Sequence, residues 1–113
     1  MGIAHDLGLI RPDGEFVSVE QTINARPEHE ADCAQIHKAN TKGSTAYLLG
    51  RVDLINNQLL ASTDGKVIGI VEPDNRNLIQ ALALNSPTLC MIELFKSQTG
   101  WTARLHFNSD ILD

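Results

Sequence analysis

The feature that most constrains this chain is the stretch Leu59-Leu60-Ala61-Ser62-Thr63-Asp64-Gly65-Lys66-Val67-Ile68-Gly69-Ile70-Val71. Two short alternating runs flank an Asp-Gly pair, whose residues accept the positive φ of a type I′ turn, so the stretch reads as a β-hairpin. Upstream, Asn56-Asn57 is a second two-residue turn, and it adds residues 46–55 as a third strand. Counting outward from the two turns puts Leu54, Leu59 and Ile70 in one cross-strand row. Val52, Ala61 and Ile68 fall in the next. One apolar face therefore spans a three-stranded meander. The opposite face carries Arg51 and Asp53 beside Leu49, Leu60, Val67 and Val71, a mixture that calls for partial cover.

The remaining segments read as additions to that meander. Residues 7–11 and 16–20 flank Pro12-Asp13-Gly14-Glu15 and are predicted to form a hairpin. Pro27 suits the first position of a helix over 27–39, with Glu28, Glu30 and Asp32 at the positive end of its dipole. Asp74 is the predicted N-cap of a second helix that ends at Leu84, where Asn85-Ser86-Pro87 stops it. Leu78, Ile79 and Leu82 form its apolar stripe. A last hairpin joins residues 88–96 to 101–107 through a 97–100 loop. It sets Cys90, Ile92 and Leu94 opposite Phe107, Leu105 and Ala103 on a core face. Its other face sets Met91, Glu93 and Phe95 opposite His106, Arg104 and Thr102. Residues 108–113 read as a short tail. The expected architecture is one α+β domain over residues 1–113. It has a bent antiparallel sheet of about seven strands, a meander plus two hairpins able to curl into a partial barrel, and two helices.

Composition narrows the function classes. No apolar run approaches the roughly 20 residues of a membrane span, and the first residues lack a signal peptide's basic flank and apolar stretch, so a cytoplasmic location is expected. Two cysteines in 113 residues do not make a disulfide framework and read as free thiols. The net charge of −5 is spread along the chain with no basic block, which argues against strong binding to phosphate backbones. No Gly-rich phosphate loop, paired-cysteine motif, H-E-x-x-H or G-x-S-x-G occurs, and no cofactor is expected.

Two groups of residues carry chemistry. His29, Cys33 and His37 recur at four-residue spacing on the first helix, which suits a soft ion such as zinc. A fourth ligand is not evident, and the outer pair lies two turns apart, about 12 Å along the axis. The same residues allow a Cys–His nucleophile pair. The second group is the outer face of the last hairpin, Met91, Glu93, Phe95, Arg104 and His106, with Trp101 beside its loop. Aromatics, Met and Arg are enriched at protein–protein contacts. The chain thus reads as a noncatalytic binding module for a protein partner or a second copy of itself, through an exposed sheet face or edge. The alternatives are a nucleic-acid-binding barrel stacking a base on Phe95 or Trp101 beside Arg104, and a metal-binding or small hydrolytic protein using His29, Cys33 and His37. Glu72-Pro73-Asp74-Asn75, with Ala81 and Leu82 beyond, is similar to part of the HIRAN domain motif, a small β-rich module associated with DNA ends. Leu78 stands where that motif has an aspartate, residues 65–73 fit a different HIRAN strand, and residues 1–40 have no counterpart. No family assignment follows.

Overall fold

The computed structural model describes residues 2–40 and 43–112. Asn56 and Asn57 take φ of 53° and 65°, and Asp64 and Gly65 take 55° and 76°, the pairs of positive angles that type I′ turns require. They join β2 (Thr45–Ile55), β3 (Gln58–Thr63) and β4 (Lys66–Val71) into the expected meander. Val52 faces Ala61 and Leu54 faces Leu59 as predicted. The β3–β4 register starts as predicted at Thr63–Lys66 and Ser62–Val67, and then a bulge moves Ala61 opposite Gly69 and Leu59 opposite Val71 rather than Ile70. One inserted residue shifts every later side chain of β4 to the other face. Val71 accordingly joins the core at 3% exposure, not the outer face, while Ile68 stays buried.

The last hairpin forms β5 (Thr88–Ser97) and β6 (Gly100–Asn108) in the predicted register, from Met91–His106 to Lys96–Trp101. The N-terminal expectation needs correction. Of the hairpin there remains a short piece, the Ile10–Phe16 bridge with the backbone bonds Val17 N to Leu9 O and Arg11 N to Glu15 O. β1 runs instead over Ser18–Asn24 and pairs with β6 from Ser18–Asn108 to Asn24–Thr102. Pro12 lacks an amide N–H, and Gly8 and Gly14 bend the chain with φ of 72° and 90°, so the short hairpin offers fewer ladder bonds than the edge of β6. Among the described residues the sheet therefore has six strands, in the order β1-β6-β5-β2-β3-β4, all antiparallel. A four-residue helix α1 (Ile3–Asp6) precedes it and makes three helices among the described residues rather than two.

A 3-10 turn, Pro27–His29, leads into α2 (Glu30–Asn40), close to the expected span. Helix α3 (Arg76–Leu84) is capped by Asn75, not Asp74. Both helices lie on one side of the sheet. Cys33 and Ile36 of α2 and Leu78 and Leu82 of α3 share a single buried cluster with Val52, Ala61, Ile92, Leu105 and Phe107. The curl is strong enough to bring the sheet edges together as a half-barrel. A Cβ at Gly69 of β4 would stand 2.9 Å from Ile23 Cδ1 of β1, and Arg26 reaches Glu72 at 3.8 Å. At Gly50 a Cβ would stand 2.8 Å from the Ser62 carbonyl oxygen, in space that Ile92 fills. Residues Ser109–Leu112 are a 3-10 turn rather than a tail, with Ile111 against the core. Among the described residues no helix is long and apolar enough to cross a membrane.

Candidate functional site

Strand alternation decides which side chains can meet a partner. In β2 the even positions 46–52 are buried and the odd positions point outward. In β5 and β6 the outward set includes Leu89, Met91, Glu93, Phe95, Arg104 and His106, paired across the ladder. The recognition residues predicted for the last hairpin thus do share one face, with one exception. Trp101 has the parity of Ala103 and Leu105 and packs on the helix side, its ring 5.1 Å from that of His37 and with Lys96 Nζ 5.9 Å from its centroid. Trp101 therefore does not belong to the recognition face.

That face is covered around His106, at the Ser18–Asn108 end of the β1–β6 pair, and not by α3, which lies on the other side. His106 is 3% exposed and Met91 is 8% exposed. Phe16 meets the His106 ring edge-on at 5.6 Å, and Asn108 Nδ2 donates to the carbonyls of Leu7 and Gly8 at 3.0 and 3.4 Å. His106 is held from both neighbouring strands, β5 and β1. Its Nε2 pairs with Glu93, and Nδ1 lies 3.4 Å from Ser18 Oγ and 3.5 Å from Glu20 Oε1. Glu93 is shared with Arg104 at 3.5 Å, and the Arg104 guanidinium sits 5.6 Å from the Phe95 ring centre. Ser18, His106 and Glu93 stand in the order of a nucleophile, base and acid. Glu20, however, competes with Ser18 for the same imidazole nitrogen. The arrangement fits a satisfied polar network on a sheet face better than a hydrolytic site.

Next to this covered region the face is open. Tyr47, Leu49 and Leu89 are 57%, 52% and 53% exposed, on adjacent strands where Leu49 faces Met91 and Arg51 faces Leu89. The outer side of the meander continues it as a concavity of about 510 Å³, with Leu49, Leu60, Val67 and Leu89 in its lining and the Arg51–Asp53 ion pair, at 2.9 Å, beside them. Tyr47 and Leu89 were not singled out from sequence. The signal was there in the odd positions of β2, whose apolar residues an outward-facing strand does not need. It required knowing that β2 pairs with β5, a contact no local turn announces.

The helix triplet is less well assembled. Cys33 is fully buried, with Sγ 3.9 Å from the Ile68 carbonyl. Burial, with Asp32 and Glu30 adding their charge, pushes its thiol up to about 11, the reverse of what an activated nucleophile needs. His37 is engaged by the Ser44 carbonyl at 3.0 Å and by Trp101. His29 Nδ1 is buried and has no hydrogen-bond partner among the described residues. Among the described residues no group of three or more His, Cys, Asp or Glu side chains gathers as a metal would require. No protein-family model matches the chain, and neither a curated protein nor a solved structure does so.

Proposed function

We propose that this chain is a cytoplasmic, noncatalytic interaction module that self-associates through the outer face of β2 and β5. The observation that carries the reading is the exposure of three large apolar side chains, Tyr47, Leu49 and Leu89, on neighbouring strands. Contiguous apolar surface of this kind marks interaction sites. The partner's chemistry follows from charge. The chain as a whole carries −5, so two copies repel over most of their surface. Along β2 and β5 and at the Arg104 border the charges are paired, Arg51 with Asp53 and Arg104 with Glu93, and Glu20 lies beyond them on β1 beside His106. A neutral, apolar face is where two acidic copies can meet, and a two-fold axis there brings the same patch to both sides. The size suits this. Eight paired positions of β2 and β5, at roughly 3.3 Å each, taken with the flanking strands β3 and β6 as four strands about 4.8 Å apart, give about 500 Å² in projection. Side-chain relief raises that toward the ~800 Å² per partner of a standard interface.

Light scattering over a range of protein concentrations tests the reading. Wild-type protein is expected to approach twice the chain mass, and Leu49→Asp to weaken association by roughly thirtyfold or more, as loss of a central anchor does. A strictly monomeric wild type at high concentration contradicts the proposal. Salt separates it from nucleic-acid binding. Association between acidic copies holds or strengthens as salt screens their repulsion, whereas phosphate contacts weaken steeply.

A further inference from the structure

The open face does not end at Leu89. It continues to the buried Met91 and His106, and residues 2–17 lie against its His106–Asn108 end, with Phe16 edge-on to His106 and the Leu7 and Gly8 carbonyls held by Asn108. This covering segment makes no ladder with the sheet. Its own bridge between Ile10 and Phe16, the helix α1 and the Arg11–Glu15 ion pair at 3.2 Å hold it together. Among the described residues it is fixed to the sheet by the Asn108 side chain on the Leu7 and Gly8 carbonyls and by Phe16 on His106. Leu9 is fully buried, yet it stands outside the central cluster, as does Met91. Phe16 itself is 45% exposed.

We propose that residues 2–17 are a displaceable cover, and that the second copy's footprint takes in Met91 and His106 when the cover lifts. The inference rests on the self-association reading above. Two physical points support it. Lifting the cover strands no buried polar side chain on the sheet, because His106 keeps Glu93 and Ser18 as partners. What it does expose is apolar, chiefly Leu9 and Met91, and a partner's apolar face offsets that exposure. The cover then competes in cis with the second copy. The apparent dissociation constant equals the intrinsic one divided by the uncovered fraction.

Two variants of the full chain loosen the cover from opposite sides. Asn108→Ala removes the two hydrogen bonds to its carbonyls, although it also frees the Asp110 amide that Asn108 accepts at 2.9 Å. Gly8→Ala retains the Asn108 side chain and the acceptor it offers to Asp110. It places a methyl 2.8 Å from Asn108 Nδ2 at a φ of +72°, where only glycine is unstrained. Hydrogen-exchange mass spectrometry is expected to show residues 2–17 exchanging faster than β5 and β6 in the wild type. Both variants are expected to speed that exchange roughly tenfold, the equivalent of one to two lost hydrogen bonds, with β2 and β3 unchanged, and to tighten association by the same factor. Residues 2–17 protected as strongly as β5 and β6 would overturn the inference. So would faster exchange in both variants with an unchanged dissociation constant, an outcome that leaves the Leu49→Asp result standing. Association that survives Leu49→Asp overturns the reading of the face and the cover's role with it.

Discussion

Cys33 and Cys90 sit in the same core, each fully buried. Burial raises both thiols from an ordinary 9.0, to about 11 for Cys33, where Asp32 and Glu30 contribute, and to about 12 for Cys90. Only thiolate reacts with alkylating reagents, so at pH 8 the reactive fraction is about one part in a thousand at best. Folded protein is expected to resist a thiol reagent at pH 8 and to take up two equivalents at once in denaturant. Prompt labelling of the folded chain would contradict the burial of these residues. The same shifts set a pH dependence. As pH rises past 9 the unfolded chain gives up its thiol protons while the folded chain keeps them, so their contribution to stability is intact below 9. It is lost progressively as pH climbs through 11 toward 12. The denaturant midpoint falls in that window, and less so when Cys90→Ala removes the larger shift.

At the scale of the element, α3 depends on its cap. Asn75 accepts from the amides of Asn77 and Leu78 at 2.8 and 3.4 Å, and the helix it starts delivers Leu78 and Leu82 to the core. Asn75→Ala is expected to cost about 1 kcal/mol in chemical denaturation, and Asp74→Ala to fall within roughly 0.5 kcal/mol of wild type. Equal losses would mean that the cap is misassigned. The sequence could not choose between Asp74 and Asn75, since both side chains cap well. The extended backbone of Asn75, at φ −82° and ψ 116°, decides the matter. Elements bounded by a short turn were legible in the same sense that this cap was not. Two Asn residues or Asp-Gly fix a register by counting, and the final hairpin followed from its alternating pattern alone. The bulge in β4 was hidden because Ile68-Gly69-Ile70-Val71 offers an apolar side chain in either register, and the fit of Gly69 against Ile23 selects one. β1 was misread because Ser18, Glu20, Gln21, Thr22 and Asn24 leave it too polar to announce itself. The open face was half legible. Its residues were in view, but which of them the N-terminal segment hides depends on contacts between Leu7 or Gly8 and Asn108.

Across the whole molecule, the sheet joins parts of very different sequence separation. The meander closes through two-residue turns, whereas β1 reaches β6 only when Ser18 finds Asn108. Each doubling of a closed loop adds about 0.6 kcal/mol of chain entropy, and contacts between distant residues are late and slow. The expected order of assembly is β2–β4 first, the β5–β6 hairpin joined to β2 next, and β1 last. Pulsed hydrogen exchange during refolding should protect amides of residues 58–71 before those of 18–24, and simultaneous protection would contradict this order. The pairing of Ser18 with Asn108 therefore also sets a time window. Until it forms, the outer edge of β6 is an unpaired strand in a chain that already presents Tyr47, Leu49 and Leu89. In those moments the nascent protein is most exposed to edge-to-edge aggregation.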